Sequence, residues 1–275
     1  TRIVALSDRA EAPRAETSAP APLPAPGDGG PRLRARGLAV GWPDGPVVAE
    51  GIDLDLAPGS RLAVVGPSGI GKTTLLLTLA GLLEPRGGEL DLDGAALWPA
   101  SRVSLTAEDA HVFGTTVLEN LRVADGSLSA ERARALLREA GLGAWLAGLP
   151  RGLDTMLSPN ATTLSGGERR RLLLARALAA PAPLMLLDEP GEHLDAAMAD
   201  RLVADLLNAG EGAEGDVRGV LLVTHRLSAL ENADEVLVLG AAGPGRPATI
   251  ARRGTHARLT AHDKSYRWSL EQEHD

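Results

Sequence analysis

Residues 66 to 74 read "GPSGIGKTT", and residues 162 to 195 read "TTLSGGERRRLLLARALAAPAPLMLLDEPGEHLD". The first stretch satisfies G-x-x-x-x-G-K-[ST] in full, from Gly66 to Thr73. It follows the apolar run "RLAVVG" and leads into "GKTTLLLTLAGLL", so a short strand feeds a glycine loop that opens a helix. Glycine lets backbone N–H groups turn inward around phosphate oxygens. The helix N-terminus adds a dipole worth about 0.3–1 kcal/mol per nearby negative charge. The loop Gly66, Pro67, Ser68, Gly69, Ile70, Gly71, Lys72, Thr73 and Thr74 is therefore predicted to cradle the phosphates of a nucleotide. Lys72 would bridge the β- and γ-phosphates, and the Thr73 hydroxyl would hold Mg²⁺. A plain glycine-rich turn is the competing reading.

The second stretch carries two more signals. "LMLLDE" is four apolar residues followed by two acids, as in a buried strand whose tip presents carboxylates. Asp188 there would stand beside the Mg²⁺ shell. Glu189, one residue on, would polarise the attacking water, a role that typically contributes about 10²–10⁴-fold. Upstream, Ser165-Gly166-Gly167-Glu168 forms a capping box, with Ser165 at the N-cap and Glu168 three residues later. A capped helix end is also an anion site, so Ser165, Gly166 and Gly167 are candidates for a second phosphate cradle. The helix "ERRRLLLARALAA" that follows is predicted to show an apolar stripe and a solvated arginine face. One nucleotide hardly needs two cradles on one chain.

The composition narrows the field. The chain has 275 residues, 44% of them hydrophobic, and a net charge of −8, so bulk charge implies no basic face for nucleic acid. Lys72 and Lys264 are the only lysines. There is no cysteine, which excludes disulfides, thiolate metal sites and cysteine nucleophiles. No run reaches the roughly 18–20 apolar residues of a spanning helix, and no signal peptide is visible, so the chain is expected to be soluble.

Along the chain, residues 1 to 31 include "APRAETSAPAPLPAPGDGGP" and read as a partly extended linker. "LRARGLAVGW" and "VVAEGIDLDLAPG" show the alternation of antiparallel strands, and "GGELDLDG" reads as another strand. Residues about 110 to 180 carry helical signals, including "SAERARALLREAGL" with Ser129 as N-cap. "PLMLLDE" and "RGVLLVTH" read as parallel strands covered on both faces, with a helix between them beginning near Asp195. "ADEVLVLG" and "ATIARRGTHARL" read as two strands and a short helix.

LSGGE at 164 to 168, followed by "LMLLDEP" and "LLVTHR", resembles the ATP-binding cassette (ABC) family across nearly all of residues 33 to 259. The resemblance implies an α/β P-loop NTPase fold. It would have a RecA-like core, an antiparallel β subdomain and a helical subdomain carrying the signature motif. It implies ATP and Mg²⁺ as ligands, ATPase activity, and a partner cassette packed head to tail. In such a pair each ATP lies between the loop at 66 to 74 of one cassette and Ser165–Gly167 of the other, which accounts for two cradles. It further implies that Trp42 in "AVGWPDG" stacks on adenine, where tyrosine is usual; an apolar strand residue is the alternative. His225 matches the histidine that contacts the γ-phosphate, or is a core histidine. Asp195 matches the acid that crosses to the partner, or is a helix N-cap. Two positions depart from the family pattern. Glu108, a candidate Mg²⁺ ligand, stands where glutamine is usual, and Gly191 follows "DEP" in place of threonine or serine.

Within the family, "EDAHVFGTTVLENLR" and "LPRGLDTMLSPNATTLSGGE" resemble exporters whose membrane domain and cassette share one polypeptide. "EHLDA" and "AEDAHVF" look most like the CydC subunit of the bacterial thiol exporter, which implies a CydD-type partner and export of cysteine or glutathione for cytochrome bd assembly. Residues 1 to 31 would then follow a missing membrane domain, and residues 32 to 275 would form the cassette at the cytoplasmic face of the bacterial inner membrane. Two other readings stand beside this one. A soluble ABC ATPase acting on nucleic acid or ribosomes would usually need a second cassette, a long coiled-coil insertion or basic arms. A different P-loop enzyme would leave LSGGE and His225 unexplained.

Overall fold

The computed structural model describes residues 30–93, 102–107, 110–158, 164–192, 196–208 and 217–273. Most of the predicted linker, together with Glu108 and Asp195, lies outside the described residues. Nine strands among the described residues form one mixed sheet. They are β1 (Leu33–Gly41), β2 (Val47–Leu56), β3 (Arg61–Val65), β4 (Gly87–Leu92), β5 (Val103–Thr106), β6 (Leu184–Asp188), β7 (Gly219–Val223), β8 (Glu235–Ala241) and β9 (Ala248–Gly254). Their order across the sheet is β4-β1-β2-β9-β8-β3-β7-β6-β5. The helices are α1 (Lys72–Leu79), α2 (Val117–Arg122), α3 (Ala130–Glu139), α4 (Gly143–Gly148), α5 (Gly166–Ala179), α6 (Ala196–Asn208), α7 (His256–His262) and α8 (Lys264–Gln272).

The sheet has two characters. β4, β1 and β2 pair antiparallel, as their alternating pattern predicts; in β1 the residues Leu33, Ala35, Leu38 and Val40 are buried. β8, β3, β7, β6 and β5 run parallel. Every residue of β6 and β7 is buried, as expected when a parallel sheet is covered on both faces. Alternate residues serve two cores. Ala63, Val65, Met185, Leu187, Val220 and Leu222 face the layer built from α2, α3, α5 and α6. Leu62, Val64, Leu184, Leu186, Leu221 and Val223 face α1 and the antiparallel strands. At about 1.5–3 kcal/mol for each large side chain buried, these strand interiors make a rigid floor.

Register then positions the functional ends. Val64 of β3 and Asp188 of β6 both pair with Val223 of β7. With about 4.8 Å between neighbouring strands, the loop after β3 and the tip of β6 stand roughly 10 Å apart on one sheet edge. Expected strands and helices take their places, including α3 capped by Ser129, whose side chain accepts from the Arg132 N–H. Strand β5 and helix α8 were not foreseen. Only four residues long, β5 joins the sheet through pairing with β6, and α8 is a mostly exposed helix anchored by the buried Tyr266.

Candidate functional site

The loop from Gly66 to Lys72 is fixed by positive backbone angles and by crowding. Gly71 is the N-cap of α1 with φ of 110°, and a Cβ there would lie 2.9 Å from Val48 Cγ2. Gly66, at φ of 152°, would place a Cβ 2.7 Å from the Leu239 carbonyl oxygen. Only glycine fits either position. Pro67, Ser68 and Gly69 are exposed, whereas Ile70 and Gly71 are half-buried. The Lys72 ammonium is buried and donates to the carbonyls of Gly66 at 2.8 Å and Pro67 at 3.1 Å, so it spans its own loop. Thr73 is exposed and Thr74 buried on the first turn of α1. The cradle and its donors suit a triphosphate with Mg²⁺: N–H groups, one ammonium, and hard oxygens at Thr73 and Asp188.

The tip of β6 carries the acids. Asp188 is buried. Glu189 adopts φ of 44°, a left-handed conformation that costs a non-glycine residue about 1–3 kcal/mol and concentrates at functional sites. Its N–H donates to the Val223 carbonyl at 3.0 Å, which turns the side chain toward the loop after β7. There Glu189 Oε2 accepts from the His225 N–H at 3.2 Å and meets His225 Nδ1 at 3.0 Å. The hydrogen bond that the Glu189 carboxylate accepts raises the His225 pKa most. Burial opposes that rise, and the charges of Glu189 and Glu192 add to it. Glu189, Glu192 and His225 bring their donor atoms within 4.8 Å of one another.

Gly191 is buried, and a Cβ there would sit 3.0 Å from Ala199 Cβ of α6. Close packing of the turn against α6 takes the space that a threonine or serine side chain would fill. Trp42 follows β1 and is half-buried; its carbonyl accepts from Gly45 N–H and from Arg86.

Ser165 caps α5 as expected. Its hydroxyl oxygen accepts from Glu168 N–H at 3.2 Å, and Glu168 Oε2 accepts from Ser165 N–H at 2.8 Å. Ser165 and Gly166 are exposed and Gly167 half-buried, so the helix end faces solvent. The arginine face that follows differs from expectation. Arg169, Arg170, Arg171 and Arg176 are half-buried and donate to backbone carbonyls of Ala110, Glu192, Gly141 and Asn120 respectively. They are struts between segments, because a guanidinium satisfies several carbonyls at once whereas water would leave those loop groups loosely held. Burial pulls the Arg176 pKa down to about 10. Arg176 also stacks 5.5 Å from the Phe113 ring and bonds Asn120, itself fully buried.

Sequence reasoning missed Asp200, which accepts from Arg226 Nε, and Glu273, which accepts from the Leu227 and Ser228 N–H groups. No local motif marks them, since each acts on a segment distant in the chain.

These features define a P-loop nucleotide-binding domain with a second, capped helix end that faces solvent. The model of the ABC transporter family matches residues 49–192, and the chain belongs to that family. Membership implies, at the general level, use of ATP and Mg²⁺ and ATP hydrolysis. The chain is 36% identical over 261 residues to an ATP-dependent lipid A-core flippase of Ralstonia nicotianae, covering 88% of this chain and 42% of that protein. It is 38% identical over 205 residues to the mycobactin import ATP-binding/permease protein IrtB of Mycolicibacterium thermoresistibile, covering 71% of this chain and 34% of that protein. A solved bacterial Atm1-family ABC exporter with ATP bound superposes with a TM-score of 0.77 at 27% identity, covering 89% of this chain and 42% of that one. The chain thus spans well under half the length of these relatives. Among the described residues no helix is long and apolar enough to cross a membrane.

Proposed function

We propose that this chain is the ATP-binding and ATP-hydrolysing motor domain of an ABC exporter. It works by pairing head to tail with a second cassette at the cytoplasmic face of the bacterial inner membrane. The observation that carries the reading is the coexistence of a complete cradle at Gly66–Thr73 with an exposed, capped helix end at Ser165 and Gly166. The first would bind this chain's ATP and the second would complete the partner's.

In this reading the loop N–H groups and Lys72 neutralise the triphosphate. Thr73 and Asp188 would hold Mg²⁺ through their oxygens, and the ion would supply charge neutralisation for the triphosphate. Glu189 orients and deprotonates the attacking water, and His225 holds the γ-phosphate side of the site. Trp42 offers its ring to adenine. The partly exposed stretch around Phe113 and Met156, both on the α2 side, would meet the membrane domain. The test is the ATPase rate per molecule against protein concentration: a rise with concentration, or on adding a partner cassette, is expected. A rate flat under dilution defeats the shared-site reading.

A membrane domain in the same polypeptide is supported by relatives more than twice as long, one of them described as an ATP-binding/permease protein. The finer assignment to a CydC-type subunit with a CydD-type partner and a cysteine or glutathione substrate rests on "EHLDA" and "AEDAHVF" alone. Its test is transport of labelled glutathione by vesicles holding the full-length pair. Six spanning helices in the reading frame upstream of Thr1 would support the fused membrane domain.

A further inference from the structure

The segment that carries His225 has an unusual hydrogen-bond pattern. Four consecutive backbone N–H groups each donate to a side-chain oxygen. His225 N–H donates to Glu189 Oε2 at 3.2 Å, and Arg226 N–H to Thr224 Oγ1 at 3.0 Å. Leu227 N–H donates to Glu273 Oε1 at 2.7 Å, and Ser228 N–H to Glu273 Oε2 at 3.1 Å. The segment is also tied from α6, where Asp200 Oδ1 accepts from Arg226 Nε at 2.7 Å and from Ser228 Oγ at 3.1 Å.

Glu273 comes from 46 residues further along the chain, one position past α8. A carboxylate at a helix C-terminus faces the negative end of the dipole, an unfavourable place for it. Two charge-assisted bonds to backbone N–H groups offset that cost. The helix that delivers it is itself anchored. Asp263 caps α8 by accepting from Ser265 and Tyr266 N–H groups, the Tyr266 side chain is buried, and its hydroxyl meets His256 Nδ1 at 3.0 Å. Leu227 is buried in the same core as Tyr266. Thus α8 is built to hold one acceptor pair under the turn after His225.

We propose that Glu273 is a positioning residue for ATP hydrolysis, holding the Leu227–Ser228 turn so that His225 stays aligned with Glu189 at the reacting phosphate. The proposal rests on the motor-domain reading above. Glu273 accepts from the Leu227 and Ser228 N–H groups and so acts through the segment that carries His225. Loss of the clamp frees two N–H groups to seek water and lets His225 wander, and misplacement by about 1 Å is enough to cost on the order of 10²-fold in rate.

The test is a double-mutant cycle on Mg-ATP hydrolysis by the 275-residue chain, using Glu273→Ala, His225→Ala and both together. Glu273→Ala alone is expected to lower kcat about tenfold or more with KM for ATP changed less than about twofold. In the His225→Ala background it should have little further effect, because residues that act through one another are non-additive. Glu273→Gln, which keeps one carbonyl acceptor, should restore part of the rate. Multiplicative effects, or an unchanged kcat in Glu273→Ala, overturn the proposal while leaving the motor-domain reading intact. A parallel loss of kcat, ATP affinity and melting temperature in both Glu273 variants would also overturn it, as general destabilisation. Absence of ATP hydrolysis by the wild-type chain would overturn the motor-domain reading and this proposal with it.

Discussion

Glu189 Oε2 receives two contacts from one residue, the His225 N–H at 3.2 Å and the His225 Nδ1 at 3.0 Å. The carboxylate at the tip of β6 is thereby locked to the loop after β7, across adjacent strands of the parallel sheet. Its backbone is held in a left-handed conformation by the same turn. Neighbouring strands of one sheet thus fix the position of Glu189 relative to the loop after β3.

Replacing Glu189 by glutamine keeps the volume and one acceptor but removes the basic oxygen. Mg-ATP binding by calorimetry should be retained, and steady-state hydrolysis should fall by about 10²–10⁴-fold. Undiminished turnover would remove Glu189 from the base role.

Lys72 bridges Gly66 and Pro67 carbonyls from a buried position. Lys72→Ala deletes both these bonds and the only lysine ammonium in the loop. Calorimetric titration with Mg-ATP should show no measurable binding; heat of binding like that of wild type would contradict the assignment.

Gly71 and Gly69 make a contrasting pair. Gly71→Ala faces φ of 110° and a contact of 2.9 Å with Val48, whereas a Cβ at Gly69 meets nothing within 4 Å. Gly71→Ala should cost about 1–3 kcal/mol in denaturant unfolding and weaken ATP binding. Gly69→Ala, strained only through its φ of 75°, should cost less in stability. Equal penalties would show that crowding against Val48 is not what fixes the loop.

Loss of the Ser165 hydroxyl acts at two levels. Ser165→Ala removes the α5 cap, at about 1 kcal/mol in unfolding free energy. It should leave ATP binding by the isolated chain unchanged while lowering hydrolysis at high protein concentration, where a partner's Ser165 would matter. Weakened ATP binding in dilute solution would place Ser165 in this chain's own site.

The histidine pair gives a pH dependence with a definite sign. His225 has its pKa raised in the folded protein, so its pairing with Glu189 stabilises below the ordinary histidine value of about 6.5. That contribution disappears as pH rises through the raised folded value. His225 is more than half exposed, so solvent screens the effect and it will be small. The melting-temperature gap between wild type and His225→Gln should shrink as pH climbs from about 6 to about 9. A gap that widens with pH would show that neutral His225 is the stabilising form.

Much of the fold is legible in the sequence. The strand-loop-helix at 61 to 79, the apolar runs of β6 and β7, and the Ser165 cap follow from periodicity and local hydrogen bonding, which a short window of sequence contains. The arginines of α5 were misread as a solvated face for the same reason. Their partners Ala110, Gly141, Glu192 and Asn120 lie 22 to 59 residues away, and charge pattern alone says nothing of carbonyls brought close by folding. β5 was invisible because four residues make a strand only when β6 offers its edge.

The linear sequence therefore determined which residues have the chemistry: glycines where only glycine turns, an ammonium beside a glycine loop, two acids behind four apolar residues. Tertiary structure decided which of them meet. The pairing of Glu189 with His225, and the grip of Glu273 on the turn beyond it, join segments 36 and 46 residues apart. Such contacts depend on sheet register and helix docking, which are set by burial over the whole core and by no single motif.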